Sequence, residues 1–285
     1  VNDPAALDAD LQVLQVGTDA DELDAGNYRL LQAAFPDQAD RFGILAADTQ
    51  SEGTPIVERI PTAIEPLGFT TVYANSTPPP PATVDNWRPY LEPAVDEDVQ
   101  MFEFTQTADQ VVAAMGAFAD VGFGPEIIVG NPSLYDGALL QGNDALADSD
   151  MYIGIYQVPF ELADDNPPTQ QFLDLMDDAV SGWSDDPKAL ATNAWSDWLL
   201  FAQAAKECGS DLTRDCVLEQ ASDIEGWDAG GLMAPTDITD GRPSSAPCTA
   251  MVLATPDGFE YDEELTQPTD GIFNCDDANL VSAPA

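Results

Sequence analysis

The segment RFGILAADTQSEG (residues 41–53) joins a short apolar run to a polar turn and a glycine. A near-continuous apolar run of this kind is typical of a strand that is buried on both faces of a sheet. Residues 53–67 then repeat apolar side chains every three or four positions, which predicts a helix that ends at Gly68. FTTVYAN (residues 69–75) predicts the next strand. Strand, helix and strand in this order are typical of a unit with parallel strands.

The same alternation continues along the chain to residue 157. Further strands are predicted at residues 99–104, 126–130 and 151–157, with helical segments between them. The segment VPFELADDNPP (residues 158–168) marks a change, after which three helices precede turns and short antiparallel strands. We therefore predict an α/β fold in which parallel sheets are flanked by helices.

The composition limits the classes of function. The 285 residues include 52 acidic and 8 basic side chains and no histidine, for a formal net charge of −44. Nucleic-acid phosphates and anionic lipid surfaces repel such a chain. The absence of histidine excludes Ser-His-Asp and Cys-His catalysis and any His-ligated metal. The acidic, lysine-poor composition favours a saline environment, where salt screens self-repulsion; an exported protein that uses charge for solubility is the alternative.

The four cysteines form two close pairs in the last third of the chain. Cys208 and Cys216 are eight residues apart, and Cys248 and Cys275 are 27 residues apart. Neither spacing is that of a zinc site, and no histidine is present to complete one. We predict two disulfide bonds in sequence order, which implies an oxidising, exported setting. Four buried free thiols are the alternative.

The candidate binding residues follow the predicted strands, because open parallel sheets bind ligands beyond the carboxyl ends of their strands. No glycine-rich phosphate-binding motif follows a strand, so no nucleotide cofactor is expected. The turns instead carry polar and aromatic groups that suit hydrogen bonding and stacking better than catalysis: Gln50, Ser51, Thr105, Asn131 and Tyr135. Tyr135 is the expected stacking group, with its hydroxyl in contact with solvent. Asp48 and Asn131 would alternatively cap the helices that follow them.

Several segments taken together resemble the solute-binding proteins of branched-chain amino acid ABC transporters, which have the type I periplasmic-binding-protein fold. These segments are RFGILAADTQSEG with TTVYAN and DNWRPYL, then EIIVGNPSLYDGALLQ and MYIGIYQVPFE. CGSDLTRDC and WDAGGLMAP are similar to the terminal region of actinobacterial members. The resemblance covers roughly residues 27–262. Residues 1–40 are too few for the opening units of the family's first lobe, so that lobe is expected to be incomplete.

The resemblance implies two α/β lobes that close on a small molecule, such as an amino acid, and an ABC permease in the membrane that recognises the closed form. It implies an extracytoplasmic protein, either lipid-anchored or secreted, from which a signal sequence has been removed. It implies no enzymatic activity, no cofactor and no metal. The ligand residues that it places on this chain are Asp48, Gln50, Ser51, Thr105, Gln106, Asn131 and Tyr135.

The resemblance also divides the chain into four parts. Residues 1–40 would end the first lobe, and residues 41–157 would form the second lobe. Residues 158–245 would return into the first lobe as helices, and residues 246–285 would form C-terminal strands and a disulfide-tied tail.

Two other functions remain open at this stage. A surface sensor or structural protein that reuses the scaffold would fit an incomplete first lobe, and its copies would associate with one another. A hydrolase that uses only carboxylates is the second alternative. With 52 acidic residues in the chain, the spacing of its carboxylate pairs carries almost no specificity.

Overall fold

A computed structural model describes residues 22–47, 53–78, 84–105, 107–140, 144–183, 186–239, 242–243 and 247–283. The predicted ligand residues Asp48, Gln50, Ser51 and Gln106 lie outside these ranges. The predicted positions that can be located are therefore Thr105, Asn131 and Tyr135.

A mixed eight-stranded sheet forms the centre of the described residues. Five strands are parallel in the spatial order β3-β2-β4-β5-β6, and β9 and β10 continue the sheet in antiparallel orientation beyond β6. The eighth strand, β11, also pairs with β9. The parallel strands confirm the predicted α/β class. The strands are β1 (Glu22–Asp24), β2 (Phe42–Ala46), β3 (Thr71–Asn75), β4 (Met101–Thr105), β5 (Ile127–Gly130), β6 (Asp150–Ile155), β7 (Ile238–Thr239), β8 (Arg242–Pro243), β9 (Cys248–Thr255), β10 (Gly258–Tyr261), β11 (Asn274–Cys275) and β12 (Leu280–Ser282).

Helices flank the sheet on both faces. The α-helices are α1 (Gly26–Ala34), α2 (Pro36–Ala39), α3 (Gly53–Ile64), α4 (Arg88–Asp96), α5 (Ala108–Met115), α6 (Phe118–Val121), α7 (Pro167–Ala179), α8 (Leu190–Cys208), α9 (Arg214–Ser222) and α10 (Glu263–Thr266). Helix α3 continues through Pro61 and ends in a short 3₁₀ turn, after which Gly68 adopts φ +104°. The predicted stop at Gly68 is therefore confirmed, because a left-handed conformation is favourable for glycine.

The two faces of the sheet bury separate apolar clusters. One cluster contains Ile44 and Met101 with Tyr28 of α1. The other contains Leu45 and Phe102 with the apolar side chains of α4 to α9. Alternate residues of one strand point to opposite faces, so the unbroken apolar runs of β2 and β4 supply both clusters. This arrangement explains why all five residues of β2 are buried.

Residues from the predicted first and last parts of the chain pack with the predicted second lobe. Helix α1 lies against the sheet through Tyr28, whose ring contacts Phe69 edge to face at 5.9 Å between centroids. Strand β1 pairs with β12, and the Arg59 side chain of α3 donates hydrogen bonds to the carbonyl oxygens of Glu22 and Ala283. The two distant segments of the chain are therefore fixed beside α3.

Both predicted disulfide bonds are confirmed. Cys208–Cys216 joins the end of α8 to α9, and Cys248–Cys275 joins β9 to β11. Residues 108–121 form two helices, α5 and α6, because the chain turns at Gly116 and Ala117 and then buries Phe118. Residues 132–140 include two short 3₁₀ turns, at Pro132–Leu134 and Gly137–Leu140.

Candidate functional site

The carboxyl ends of the parallel strands bring the described candidate residues to one edge of the sheet. Ala46 pairs with Thr105 across β2 and β4, and Phe104 pairs with Gly130 across β4 and β5. Thr105 and Asn131 are thus neighbours at the ends of adjacent strands. Ala46 is the last residue of β2, and the predicted ligand residues Asp48 to Ser51, which follow it in the sequence, lie outside the described residues.

Thr105 has the geometry of an unused hydrogen-bonding group. Its Oγ1 atom is buried and has no hydrogen-bond partner among the described residues. The next helix, α5, begins three residues later, and its N-cap Thr107 forms a capping box with Gln110, in which the Thr107 amide donates to Gln110 Oε1 at 3.0 Å. The cap ties the start of α5 closely to the end of β4. Thr105 is therefore held at the sheet edge with a buried hydroxyl, and its role as a ligand residue stays a prediction.

Asn131 caps the 3₁₀ turn Pro132–Leu134 that follows β5. Its Oδ1 atom accepts a hydrogen bond from the Ser133 amide at 2.9 Å and another from the Ser133 hydroxyl, and its Nδ2 atom donates to the Phe104 carbonyl at 3.3 Å. The helix-cap alternative left open by the sequence is thus realised in this structure. The same contacts lock the end of β5 to the end of β4.

Tyr135 lies in the core, with 1% of its surface exposed. Its ring stacks on Phe160 at 5.0 Å between centroids and meets Phe259 edge to face at 4.7 Å. Its hydroxyl donates to Glu161 Oε2 at 2.6 Å and accepts from the Phe160 amide at 2.7 Å. The expectation that this hydroxyl stays in contact with solvent is wrong, because residues 160–161 cover it. Its role as a ligand residue remains a prediction that no finding tests.

A second polar group, missed at the sequence level, lies just beyond the end of β6. The Tyr156 hydroxyl accepts a hydrogen bond from Asn193 Nδ2 of α8 at 3.1 Å. Burial raises the pKa of Tyr156; the Asn193 hydrogen bond opposes that rise, and the nearby charges of Asp24 and Asp197 add to it. Asn193 Oδ1 is buried and has no hydrogen-bond partner within the described ranges. The signal available in the sequence was a tyrosine that directly follows the apolar strand MYIGI.

Asp24 belongs to the same region and carries an unusual carboxyl group. Burial raises its pKa to about 7, and the Gly26 amide, which donates to Asp24 Oδ1 at 3.0 Å, limits the rise. A group with this pKa is partly protonated at neutral pH. Asp24 and Tyr156 can therefore both donate and accept hydrogen bonds near the start of α8.

Glu103 is a further buried polar group, in the middle of β4 and two residues before Thr105. It is 2% exposed, and the Tyr28 hydroxyl lies 3.1 Å from Oε1 and 3.0 Å from Oε2. Burial raises the pKa of Glu103 to about 8, and the Tyr28 hydrogen bond offsets part of that rise. Glu103 is buried beneath Tyr28, so its contacts are structural and not those of an open site.

The residues that the structure describes hold no cluster of three or more potential metal ligands of the Cys, Asp, Glu or His type. In the same residues, no helix is both long enough and apolar enough to cross a membrane. What the sheet edge offers is a set of hydroxyl, amide and carboxyl groups. Such groups bind and orient a small molecule by hydrogen bonds.

A family model described as periplasmic binding protein matches residues 21–258. No curated protein matches the chain. Many solved structures do match.

The fatty acid ABC transporter substrate-binding protein from Thermomonospora curvata superposes with a TM-score of 0.69 and 16% identity, over 90% of this chain and 64% of that chain. The leucine binding protein LivK from Thermotoga maritima MSB8 gives a TM-score of 0.65 and 12% identity, over 84% and 64% of the two chains. The solute binding protein of an ABC transporter from Rhodopseudomonas palustris BisB5, solved with 3,4-dihydroxy benzoic acid, gives a TM-score of 0.61 and 15% identity, over 92% and 65%. At these low identities the structural similarity establishes the fold alone. The chain spans slightly less than two thirds of the length of these three proteins.

Proposed function

Because the chain belongs to the periplasmic binding protein family, we propose that it is the solute-binding protein of an ABC importer. In this role it holds a small molecule at the carboxyl edge of its sheet and presents it to a permease in the membrane. It acts by binding and not by catalysis. Membership of this family favours solute binding over a surface sensor or a structural protein.

The observation that carries the proposal is the extent of the family match. It runs from residue 21 to residue 258 and so includes all five parallel strands and the turns that follow them. In open α/β sheets, ligands bind beyond the carboxyl ends of the strands. The buried, unpartnered hydroxyl of Thr105 lies at this edge, in the part of the chain that the structure describes.

The proposed ligand contacts are Asp48, Gln50, Ser51, Thr105, Gln106 and Asn131, with Tyr135 reached only if residues 160–161 move away from its hydroxyl. None of these side chains is cationic. The matched structures named above concern leucine, fatty acid and dihydroxybenzoic acid, which all contain a carboxyl group. We propose that the ligand is likewise a small molecule with a carboxyl group, held by neutral hydroxyl and amide donors of the protein. These donors are needed because the net charge of −44 repels an anion.

The two-lobed arrangement and the location of the protein form part of the same proposal. Residues 41–157 would form the second lobe, residues 1–40 and 158–245 would belong to the first lobe, and residues 246–285 would complete the C-terminal strands. The two disulfide bonds support an oxidising, extracytoplasmic location. The protein would be either anchored through a lipid, which would keep it near its permease, or secreted.

Thermal unfolding and calorimetry test the proposal. The purified chain is heated alone and with L-leucine, a medium-chain fatty acid or 3,4-dihydroxybenzoate, and hits are confirmed by titration calorimetry. A ligand that binds only the folded state stabilises it by about 2.7 kcal/mol at a concentration of 100 Kd. We expect a higher melting temperature with at least one of these compounds. Absence of binding across the three classes would contradict the proposal.

A matched pair of variants tests the site. Thr105→Val removes the unpartnered hydroxyl with little change of shape, and Thr70→Val makes the same change at an exposed position before the amino end of β3. We expect Thr105→Val to weaken binding about tenfold, the equivalent of about 1.4 kcal/mol, while Thr70→Val binds like the wild type. Equal binding by both variants would place the ligand elsewhere.

A further inference from the structure

One motif outside the proposed ligand site is typical of a modified surface residue. Asn75-Ser76-Thr77 fits the pattern Asn-x-Ser/Thr, in which the middle residue is not proline, and this pattern is the acceptor of N-linked saccharides. The chain contains ten asparagines, and Asn75 is the only one that fits. The sequence therefore offers a single candidate acceptor of this kind.

The motif lies where a strand leaves the edge of the sheet. Asn75 is the last residue of β3, which pairs with β2 on one side and has no other partner strand among the described residues. Asn75 and Ser76 are half-buried, and Thr77 is exposed. Four consecutive prolines follow at residues 78–81. A saccharide attached to Asn75 would therefore stand at the open edge of the sheet, where the chain meets solvent.

Hydrogen bonds fold the motif into a tight turn. Asn75 Oδ1 accepts from the Thr77 amide at 2.8 Å and from the Thr77 hydroxyl at 2.7 Å. An asparagine side chain that bonds to the backbone two residues ahead closes an Asx-turn. This turn brings the hydroxyl that the motif requires directly against the amide group that would be modified.

The amide nitrogen of Asn75 keeps a proton that a substitution can replace. Burial raises the pKa of Tyr73 to about 12, and a hydrogen bond from the Asn75 side chain opposes that rise. Nδ2 is the only donor of this side chain, so it makes that bond, while the Tyr73 hydroxyl donates its own proton to the Tyr90 carbonyl at 2.6 Å. Because Nδ2 carries two protons, one can stay with Tyr73 while a bond to carbon replaces the other.

Asn131 shows what the motif adds to the turn. Its Oδ1 atom also accepts from the amide and the hydroxyl of the residue two positions ahead, Ser133. Pro132 occupies the middle position, however, and proline there excludes the modification. The Asn131 Nδ2 atom also donates to the Phe104 carbonyl inside the sheet. The two asparagines share one local geometry, and the middle residue and the position at the sheet edge distinguish Asn75.

We propose that Asn75 is a site of N-linked glycosylation, directed by the Thr77 hydroxyl. The donor is a saccharide joined through its C1 atom to a phosphorylated lipid. A bond forms between Asn75 Nδ2 and C1, the bond between C1 and the phosphate oxygen breaks, Nδ2 loses one proton and the phosphorylated lipid leaves. No oxidation or reduction takes place. The two disulfide bonds indicate an exported chain, which is the class of protein that carries this modification.

Mass spectrometry of the protein exported by the cells that naturally produce it tests the proposal. Chymotrypsin cleaves after Tyr73 and Trp87 and so releases Asn75 and Asn86 in one peptide. Asn86 is an internal control, because its Oδ1 accepts from the Arg88 amide at 3.1 Å in a similar turn that has no hydroxyl two residues ahead. We expect saccharide mass on Asn75 and none on Asn86. Recovery of this peptide only without saccharide, or with saccharide on Asn86 alone, overturns the proposal.

Two adjacent hydroxyls provide a matched pair of variants. Thr77→Ala removes the hydroxyl that the motif requires, and Ser76→Ala removes one from the middle position, where the motif allows any residue except proline. We expect loss of the saccharide in Thr77→Ala, and its retention in Ser76→Ala and in Thr77→Ser, which keeps a hydroxyl. Equal modification of Thr77→Ala and Ser76→Ala overturns the proposal. Circular dichroism of each variant checks its folding, and the result does not depend on the proposed solute-binding function.

Discussion

Replacing Glu103 by glutamine should stabilise the folded protein at pH 8 much more than at pH 5.5. Glu103 lies in the middle of β4 and is 2% exposed, and both of its carboxyl oxygens face the Tyr28 hydroxyl at 3.0–3.1 Å. Burial raises its pKa from 4.5 to about 8. Glutamine has almost the same shape, can accept the same hydrogen bond and carries no charge at either pH.

The sign and size of the effect follow from linkage. The folded state holds the Glu103 proton up to about pH 8, whereas the unfolded chain releases it near pH 4.5. The contribution of Glu103 to stability is therefore fully present below pH 4.5 and is lost as the pH rises towards 8. Each pKa unit corresponds to about 1.36 kcal/mol, so the free energy of unfolding should fall by about 3 kcal/mol more in the wild type than in Glu103→Gln between pH 5.5 and pH 8.

Urea unfolding at several pH values measures this difference. Other groups that titrate in the range, such as Asp24 with its pKa of about 7, are present in both proteins and cancel in the comparison. Tyr28→Phe is the control. It removes the hydrogen bond that lowers the pKa of Glu103, so its stability should fall with pH at least as steeply as that of the wild type. Parallel pH profiles for the wild type and Glu103→Gln would refute the reasoning.

Three further predictions concern stability. Replacing Cys248 and Cys275 by alanine should lower the free energy of unfolding by about 3.5 kcal/mol, because the bond closes a loop of 27 residues; chemical unfolding of the double variant checks this. Raising NaCl from about 0.1 M to about 1 M should raise the melting temperature, since salt screens a net charge of −44, and a flat melting temperature would contradict it. Tyr135→Phe should cost about 1–3 kcal/mol in urea unfolding, because it leaves Glu161 and the Phe160 amide without their shared partner; a cost below about 0.5 kcal/mol would mean that water replaces the hydroxyl.

Local sequence patterns predicted the scaffold well. The apolar run at residues 42–46 became β2 because a strand buried on both faces needs apolar side chains at every position. Gly68 ended its helix because its backbone must adopt a positive φ. The disulfide pairs followed from sequence proximity, since nearby cysteines meet without a long chain closure. The order of these segments also carried the resemblance to a family that the match over residues 21–258 then established.

The candidate site was predicted only in part. Its place, at the carboxyl ends of parallel strands, follows from topology, and Thr105 lies there with a buried hydroxyl that lacks a partner in the described ranges. Asn131 follows its strand as expected, but its side chain is engaged as a cap. Tyr135 is covered by residues 160–161, which lie 25 positions further along the chain. Local pattern could not have revealed a contact between segments that far apart.

The sequence by itself determined which segments become strands and helices, because that choice depends on periodicity and on the backbone preferences of single residues. Only the tertiary structure decided which polar groups lose their water. Glu103 is one acidic residue among 52 until α1 folds over it and raises its pKa. Burial depends on contacts between distant segments, so it is a property of the assembled layers and not of any local stretch.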